Sequence, residues 1–273
     1  MKKILIIGSL IIALLTLNAC SNDPNRIIVG ASSTPHALIL EHIREDLAEE
    51  GFTLDVRIFS DFILPNQALD QRNLDANFFQ HKPFMNNFNA TRGTDLVSIG
   101  GIHYEPLGIY SNTLESLSGV GNNDRVLIPA DATNMARALL LLEANGLITL
   151  REGAGITATR NDIVVNELNL TIIDMAAALI PAALANNEAA ISVINGNFAL
   201  QNGLSINDAL AIEDSNAALA FVNIVAIRRG TEEDPRFEAL IRLLQSQKVI
   251  DFINQNFHGA VVPLFTNSDG NPL

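Results

Sequence analysis

The stretch RVLIPADATNMARALLLLEANG, residues 125–146, contains the pattern that decides the fold. Residues 125–128 are typical of a short buried strand, and a turn of small and polar residues follows them. The pattern then becomes helical over residues 134–145, and Gly146 is the kind of residue that ends a helix. A strand that leads directly into a helix predicts one unit of an α/β protein.

The same alternation recurs along the chain. Short β-type runs are predicted at 27–30, 53–59, 75–79, 96–100, 107–110, 163–165, 171–173, 190–194 and 220–227, and helical patterns at 35–50, 64–72, 83–91, 175–185 and 236–255. This order predicts two α/β lobes with mainly parallel sheets and a cleft between them. We expect residues 27–111 and 225–273 to form lobe I, and residues 112–224 to form lobe II.

The N-terminus has the pattern of an exported lipoprotein. Lys2 and Lys3 precede an uncharged aliphatic run that ends near Leu17, which is shorter than the roughly 20 residues of a spanning helix. Residues 1–19 are therefore predicted to be a signal peptide, and Cys20, the single cysteine, to carry the lipid. Residues 20–26 would form the tether. Each buried CH₂ of the lipid adds about 0.8 kcal/mol of membrane affinity.

The charge of the chain limits its partners. The predicted signal peptide contains two lysines and no acidic residue, so the formal charge of −13 becomes −15 after cleavage. An acidic surface argues against nucleic acid as a partner. The expected location is the exported side of a cell membrane, where the protein is held by its lipid as a monomer.

The sequence contains none of the common enzyme motifs. There is no nucleophile elbow, no phosphate-binding P-loop and no zinc-protease motif. The five histidines (His36, His42, His81, His103 and His258) do not stand at metal-ligand spacing. We therefore expect no catalytic activity, no metal and no cofactor.

Two neighbouring stretches, residues 60–69 and 75–84, are rich in phenylalanine. Phe62, Phe79 and Phe84 occur there with His81 and several amides. Such a group would suit an apolar, polarisable ligand, because sulfur–aromatic contacts contribute about 0.3–1.5 kcal/mol each. The alternative is that these aromatic side chains belong to the ordinary core.

Three other polar residues stand where strands meet turns or helices. Arg137 lies near the first turn of its helix, where a cation opposes the helix dipole. It could bind a ligand carboxylate or form an internal salt bridge, for instance with Asp131. Asn197 and Asn223 each lie where a predicted strand meets a turn or crossover and could hold a zwitterion. The alternative is turn chemistry, because Asn-Gly at 195–196 favours turns for conformational reasons.

These residues lie within segments that resemble the NlpA lipoprotein family, the methionine-binding lipoproteins of bacterial ABC importers. The resemblance covers nearly all of residues 27–265 and rests on the number and order of its motifs: GAS at 30–32, PHALIL at 35–40, DFILPN at 61–66, DANFFQHKPF at 75–84, EPLGIYS at 105–111, ADATN at 130–134, RAL at 137–139, NGNFA at 195–199 and VNI at 222–224.

The resemblance implies a periplasmic-binding-protein-like fold whose lobes close over an amino acid. It implies that Arg137 takes the ligand carboxylate and that Asn197 and Asn223 hold the α-carboxylate and the ammonium. The aromatic group at 62, 79 and 84, with His81, would enclose the thioether. The family often has tyrosine at the positions of Phe62, Phe84, Phe198 and Phe221, so any hydrogen bond from such a hydroxyl is absent here.

The expected function is capture of L-methionine or a close analogue and its delivery to an ABC permease and the ATPase of that permease. A different small amino acid or a dipeptide remains an alternative ligand. Two further alternatives are an exported enzyme and a surface adhesin or antigen with a vestigial pocket. The first would need a nucleophile–base pair, for which the sequence offers only scattered serines and histidines.

Overall fold

A computed structural model describes residues 23–273, so the predicted signal peptide and Cys20 lie outside the described residues. Six strands form the first sheet: β1 (Arg26–Ser32), β2 (Thr53–Phe59), β3 (Ala76–His81), β4 (Leu96–Tyr104), β12 (Asn223–Arg228) and β13 (Val262–Thr266). Their order is β13–β4–β12–β3–β1–β2. Strand β1 pairs in parallel with β2 and β3, whereas β12 and β13 pair antiparallel with their neighbours.

Five strands form the second sheet: β5 (Gly108–Tyr110), β6 (Arg125–Pro129), β9 (Thr171–Met175), β10 (Ile191–Ile194) and β11 (Ala211–Ile212). Their order is β11–β5–β10–β6–β9, with β6 parallel to both of its neighbours. Strands β7 (Thr149–Leu150) and β8 (Ile163–Val165) form a separate two-stranded ribbon. The predicted α/β architecture is confirmed, with parallel pairing along β3–β1–β2 in the first sheet and along β10–β6–β9 in the second.

Nine α-helices are found within residues 23–273. They are α1 (Leu38–His42), α2 (Arg44–Glu49), α3 (Leu64–Asp70), α4 (Lys82–Arg92), α5 (Ala132–Ala144), α6 (Ile180–Ala185), α7 (Gly196–Gln201), α8 (Pro235–Leu244) and α9 (Gln247–Phe257). None of these helices is long and apolar enough to span a membrane.

Two predicted helices differ from the structure. The helix expected over residues 35–50 is divided: an irregular helical turn over Ser33–Ala37 precedes α1, and Ile43 leaves helical geometry between α1 and α2. The helix expected from residue 175 begins only at Ile180, because Met175 ends β9. Pro181 therefore lies in the first turn of α6, where its missing N–H costs nothing, and does not kink the helix.

The chain crosses between the two sheets twice. It leaves the first sheet after Tyr104 and enters the second at Gly108, and it returns between Ile212 and Asn223. Strand β5 thus pairs in the second sheet, although it lies before the expected boundary at residue 111. The last part of the return is a 3₁₀ segment, Ser215–Phe221, so the strand expected from residue 220 begins at Asn223.

Each sheet has its own apolar core. In the first, alternate residues of β1 are fully buried together with Phe78 and with Phe237 of α8. In the second, α5 packs Leu139 and Leu142 against β6 and β10, which agrees with the helical spacing of these leucines. The C-terminal helices are therefore integral to the first core, far in sequence from the strands that they cover.

We expect Phe237→Ala to lower the free energy of unfolding by about 3–5 kcal/mol, because it removes a fully buried aromatic side chain from the first core. Urea denaturation followed by circular dichroism would measure the loss. Ile156→Ala is a suitable control, since Ile156 is 58% exposed and its truncation should change the value by less than about 0.5 kcal/mol. Equal effects of the two substitutions would contradict this description of the core.

Candidate functional site

A cleft lies between the two sheets and contains about 340 Å³ of empty space, a volume that includes space open to solvent. Residues from the segments of both sheets and from the first crossover surround it. They are Phe62, Phe79, Gln80, His81, Phe84, Glu105, Asn134, Arg137, Asn195, Gly196, Asn197 and Asn223. All seven residues predicted to bind ligand line this one cleft, which brings together segments that are up to 161 positions apart. Their roles as ligand contacts stay a prediction.

Three phenylalanines form an apolar wall. The ring of Phe62 lies 6.0 Å from that of Phe79 and 5.9 Å from that of Phe84, and 4.8 Å from Phe198 on the other side of the cleft. The bend that carries Phe62 is fixed by Asp61, whose Oδ1 accepts hydrogen bonds from the backbone N–H groups of Ile63 and Leu64 at 2.7 and 2.8 Å. The wall is thus made mainly by the first sheet and closed by a residue of the second.

His81 stands at the edge of this wall and is held in one tautomer. Its Nδ1 accepts a hydrogen bond from the backbone N–H of Phe84 at 3.2 Å, which caps α4. The proton therefore lies on Nε2, which donates to Oδ1 of Asn134 at 3.3 Å. Burial, assisted by the nearby charge of Arg137, lowers the pKa of His81 to about 3. The ring is neutral at physiological pH.

Asn134 organises the opposite wall. Its Nδ2 donates to both carboxylate oxygens of Asp131, at 3.0 Å each, and Asp131 also caps α5 through the backbone N–H of Asn134. The Oδ1 of Asn134 accepts from Nδ2 of Asn195 at 2.9 Å. The side-chain amide of Asn195 is thereby oriented, with its oxygen left free.

Two buried polar atoms at this wall have no hydrogen-bond partner within residues 23–273. They are Oδ1 of Asn195 and Nδ2 of Asn197. Unpaired buried polar atoms are costly, and each residue lines the cleft. The pair supplies one acceptor and one donor, which suits a ligand that carries both an ammonium and a carboxylate.

Arg137 is buried and already paired. Its Nε donates to Oε1 of Glu213 at 2.7 Å, and its Nη2 donates to Oε2 of the same residue and to the backbone oxygen of Glu105, the latter at 2.8 Å. The guanidinium also lies 4.4 Å above the ring of Phe221. The internal salt bridge considered from the sequence thus exists, but its partner is Glu213, since Asp131 caps the helix.

The Nη1 group of Arg137 forms no hydrogen bond within the described residues, and the side chain lines the cleft. Burial alone would lower the pKa of Arg137, but the Glu213 carboxylate outweighs it and the pKa is raised. The guanidinium is therefore a permanent cation with one edge fixed by the protein and the other available.

A second buried cluster lies behind Asn223. His36 Nε2 is 3.0 Å from Oδ1 of Asn223, and its Nδ1 is 2.6 Å from Oγ of Ser32. The Nε2 atom of His103 is 2.8 Å from Oε1 of Glu105, and that of His36 is 3.4 Å from the same oxygen. Because an amide oxygen only accepts, His36 donates through Nε2 and accepts from the Ser32 hydroxyl.

Contrary to the expectation from their spacing, His36 and His103 converge with Glu105, and their possible ligand atoms all lie within 4.8 Å of one another. Within the described residues, Nε2 of His103 bonds to Glu105 and Nε2 of His36 bonds to Asn223, whereas Nδ1 of His103 has no hydrogen-bond partner. Burial lowers the pKa of His36 to about 4 and that of His103 to about 3, so both rings are neutral.

Comparison with known proteins decides the family. A family model described as NlpA lipoprotein matches residues 27–265. The chain belongs to the NlpA lipoprotein family. It is 36% identical to the methionine-binding lipoprotein MetQ of Bacillus subtilis over 274 residues, covering 97% of this chain and 99% of that protein.

Solved structures of this family agree with the fold. A nutrient-binding protein from Burkholderia cenocepacia, solved with methionine bound, superposes with a TM-score of 0.83 at 34% identity, covering 87% of this chain and 99% of that one. A periplasmic substrate-binding protein of an ABC transporter from Coxiella burnetii gives a TM-score of 0.82 at 34% identity, with coverages of 87% and 99%. The periplasmic-binding-protein-like fold is confirmed.

Sequence reasoning missed several members of the site. Glu105, Asn134 and Gln80 line the cleft, and Glu213 holds Arg137 from a position 76 residues away. Glu105 directly follows β4, and Asn134 lies in the first turn after β6. Ligands of α/β proteins bind beyond the carboxyl ends of strands, so this placement was a usable signal. The local sequence around Glu213 contains no signal that identifies this residue as part of the site.

The three neutral histidines predict a pH dependence of stability. His36, His81 and His103 have folded pKa values of about 4, 3 and 3, below the ordinary value of 6.5. The unfolded chain therefore takes up protons below about pH 6.5 that the folded protein does not, and stability falls as the pH decreases from 6.5 towards 4. Burial raises the pKa of Glu105, so the protonation of this residue affects stability in the opposite direction.

Urea denaturation at pH 7, 5.5 and 4.5 would measure this slope. We expect His103→Gln to reduce it by up to about 1.4 kcal/mol per pH unit, the value for one proton. His258→Asn is the matched control, because His258 is exposed and in the left-handed conformation that asparagine tolerates. A slope that is the same in wild type and His103→Gln would show that His103 is not a buried neutral group.

Proposed function

We propose that this protein is the substrate-binding lipoprotein of an ABC importer and that it captures methionine or a close analogue in the cleft. The observation that carries the proposal is the composition of the cleft: a phenylalanine wall faces a buried cation and two unpaired amide atoms. Such a site suits a small zwitterion with an apolar side chain. The methionine-binding relatives at 34–36% identity support the same ligand.

In this proposal the ligand lies with its thioether against Phe62, Phe79 and Phe84, at the edge of His81. Sulfur–aromatic contacts there would contribute about 0.3–1.5 kcal/mol each. The free Nη1 edge of Arg137 and Nδ2 of Asn197 bind the α-carboxylate. Asn223, whose oxygen is held by His36, completes the polar end of the site.

We further propose that two lobes, one built on each sheet and divided at the crossovers between β4 and β5 and between β11 and β12, close over the ligand. Two hydrogen bonds link the first and second sheets around the cleft: His81 Nε2 to Asn134 Oδ1 at 3.3 Å, and Gln201 Nε2 to the backbone oxygen of Thr34 at 3.2 Å. Both would break when the lobes separate, so they favour the closed form. Closure excludes water and strengthens the polar contacts inside.

The expected anchor completes the proposal. A lipid on Cys20 and a tether that ends before β1 begins at Arg26 keep the monomer at the exported side of a cell membrane, close to its permease and ATPase. The event at the cleft is binding without bond breaking, consistent with relatives that are named as binding proteins.

Calorimetry tests the ligand. Purified protein, stripped of ligand by unfolding and refolding, should bind L-methionine, D-methionine or a methionine dipeptide with measurable heat. Native mass spectrometry of the protein before stripping should show the added mass of the retained ligand. Absence of binding to all three compounds would refute the proposal.

Asn197→Ala tests the polar end of the site. It removes one hydrogen bond to a charged group, which contributes about 1.5–3 kcal/mol, so the Kd for methionine should rise about 10- to 150-fold. Asn207→Ala is the control, since Asn207 is an exposed asparagine in the 3₁₀ turn after α7. If Asn197→Ala bound methionine with unchanged affinity, Asn197 would not be a ligand contact.

Arg137→Ala should abolish detectable binding, but it also leaves Glu213 as a buried, unpaired charge. Its melting temperature must therefore be measured beside its affinity. The double variant Arg137→Ala/Glu213→Ala removes both charges and should recover part of the lost stability without recovering binding. Tight methionine binding by either variant would contradict the carboxylate assignment.

A further inference from the structure

Glu105 is a buried carboxylate at the wall of the cleft. It follows β4 directly, its side chain is 5% exposed, and it lines the same cavity as Arg137 and Asn197. Its Oε1 accepts a hydrogen bond from His103. Its Oε2 lies beside Gly196, 3.0 Å from the position that a Cβ would occupy there. A side chain at residue 196 would therefore displace this carboxylate.

The charges around Glu105 do not neutralise it. His36 and His103, which touch it from the first sheet, are neutral rings. His81 is neutral too, and Asp131 on α5 bonds to Asn134. Arg137 is the remaining cation at the cleft, and Glu213 already pairs with it.

Within the described residues, the Glu105 carboxyl thus has only neutral histidines as side-chain partners and no salt bridge to an arginine or lysine. Burial raises the pKa of Glu105, against the opposing effects of His36, Arg137 and the backbone N–H of Asn197. A cationic group of the ligand would stabilise the ionised form, because a buried carboxylate without a partner is unfavourable.

The position of Glu105 relative to Arg137 fits an α-amino acid. The guanidinium of Arg137 donates to the backbone oxygen of Glu105 at 2.8 Å, so the cation and this carboxylate occupy adjoining parts of the wall. The ammonium and carboxylate of an α-amino acid are attached to one carbon and need opposite charges that lie close together. The free oxygen of Asn195 provides a further acceptor in the same cleft.

We infer that Glu105 is the counter-charge for the ligand's α-ammonium, and that it makes the site selective for ligands with a free amino group. The inference rests on the proposed function and adds to it a residue that sets specificity. Gly196 serves this arrangement by leaving room for the Glu105 side chain.

The test compares two ligands that differ only in the amino group: L-methionine and its des-amino analogue, 4-(methylthio)butanoate. In wild-type protein the analogue should bind about 10- to 100-fold more weakly. In Glu105→Gln, which retains an acceptor for His103, the Kd for L-methionine should rise about 10- to 100-fold, while that for the analogue should change less than about threefold.

A control variant, the contradicting outcomes and a second variant of Glu105 complete the test. Glu115→Gln, at an exposed glutamate, should leave both affinities unchanged. Equal weakening of both ligands in Glu105→Gln would show a purely structural role and overturn the inference, as would unchanged affinity for L-methionine. If Glu105→Gln does not fold, Glu105→Asp retracts the carboxylate by one methylene and should still reduce the preference for L-methionine over the analogue; an unreduced preference would overturn the inference.

This experiment separates the two proposals. Wild-type protein that binds no methionine compound refutes the proposed function. Wild-type protein that binds L-methionine, with selectivity for the amino group unaffected by Glu105→Gln, refutes only the role of Glu105.

Discussion

The buried ion pair between Arg137 and Glu213 is the interaction on which the cleft depends. Burying two charges is costly unless their geometry is good and their other hydrogen-bonding groups are satisfied. The geometry is good here, and the remaining groups have partners except for Nη1 of Arg137. Two nitrogens of the guanidinium bond to the carboxylate, the hydroxyl of Tyr104 donates to the same carboxylate at 2.6 Å, and the Glu105 backbone accepts from Nη2. The pair joins helix α5 to the outgoing crossover near Tyr104 and to the return after β11.

Hydrogen-bonded amides fix the remaining polar groups. Asn134 connects the cap of α5 to His81 and to Asn195. Behind the aromatic wall, Asn66, Asn77 and Gln80 are buried and bonded to one another at 2.7–3.0 Å. Fully satisfied networks of this kind contribute more to orientation than to stability, since each bond replaces one to water. The unpaired oxygen of Asn195 is therefore held in place before any ligand arrives.

Much of the architecture could be predicted from sequence because it depends on local periodicity. The strand–turn–helix pattern at residues 125–146 reappears as β6 and α5, and the seven candidate site residues line one cleft. What could not be predicted depends on register between distant strands. Asn223 of β12 pairs with His81 of β3 on one side and with His103 of β4 on the other. That pairing brings His103 and Glu105 beside His36, and no spacing along the chain reveals it.

The position of β12 has a consequence for how the protein folds. β3 and β4 are neighbours in the chain, but β12 lies between them in the first sheet, and it begins 119 residues after β4 ends. An N-terminal portion ending at Tyr104 thus has a gap at the centre of its sheet. The second sheet, whose strands all lie between residues 108 and 212, can be completed before that gap is filled. Insertion of β12 between β3 and β4 is consequently a late, long-range step, and such steps slow folding because loop entropy is lost before the contacts form.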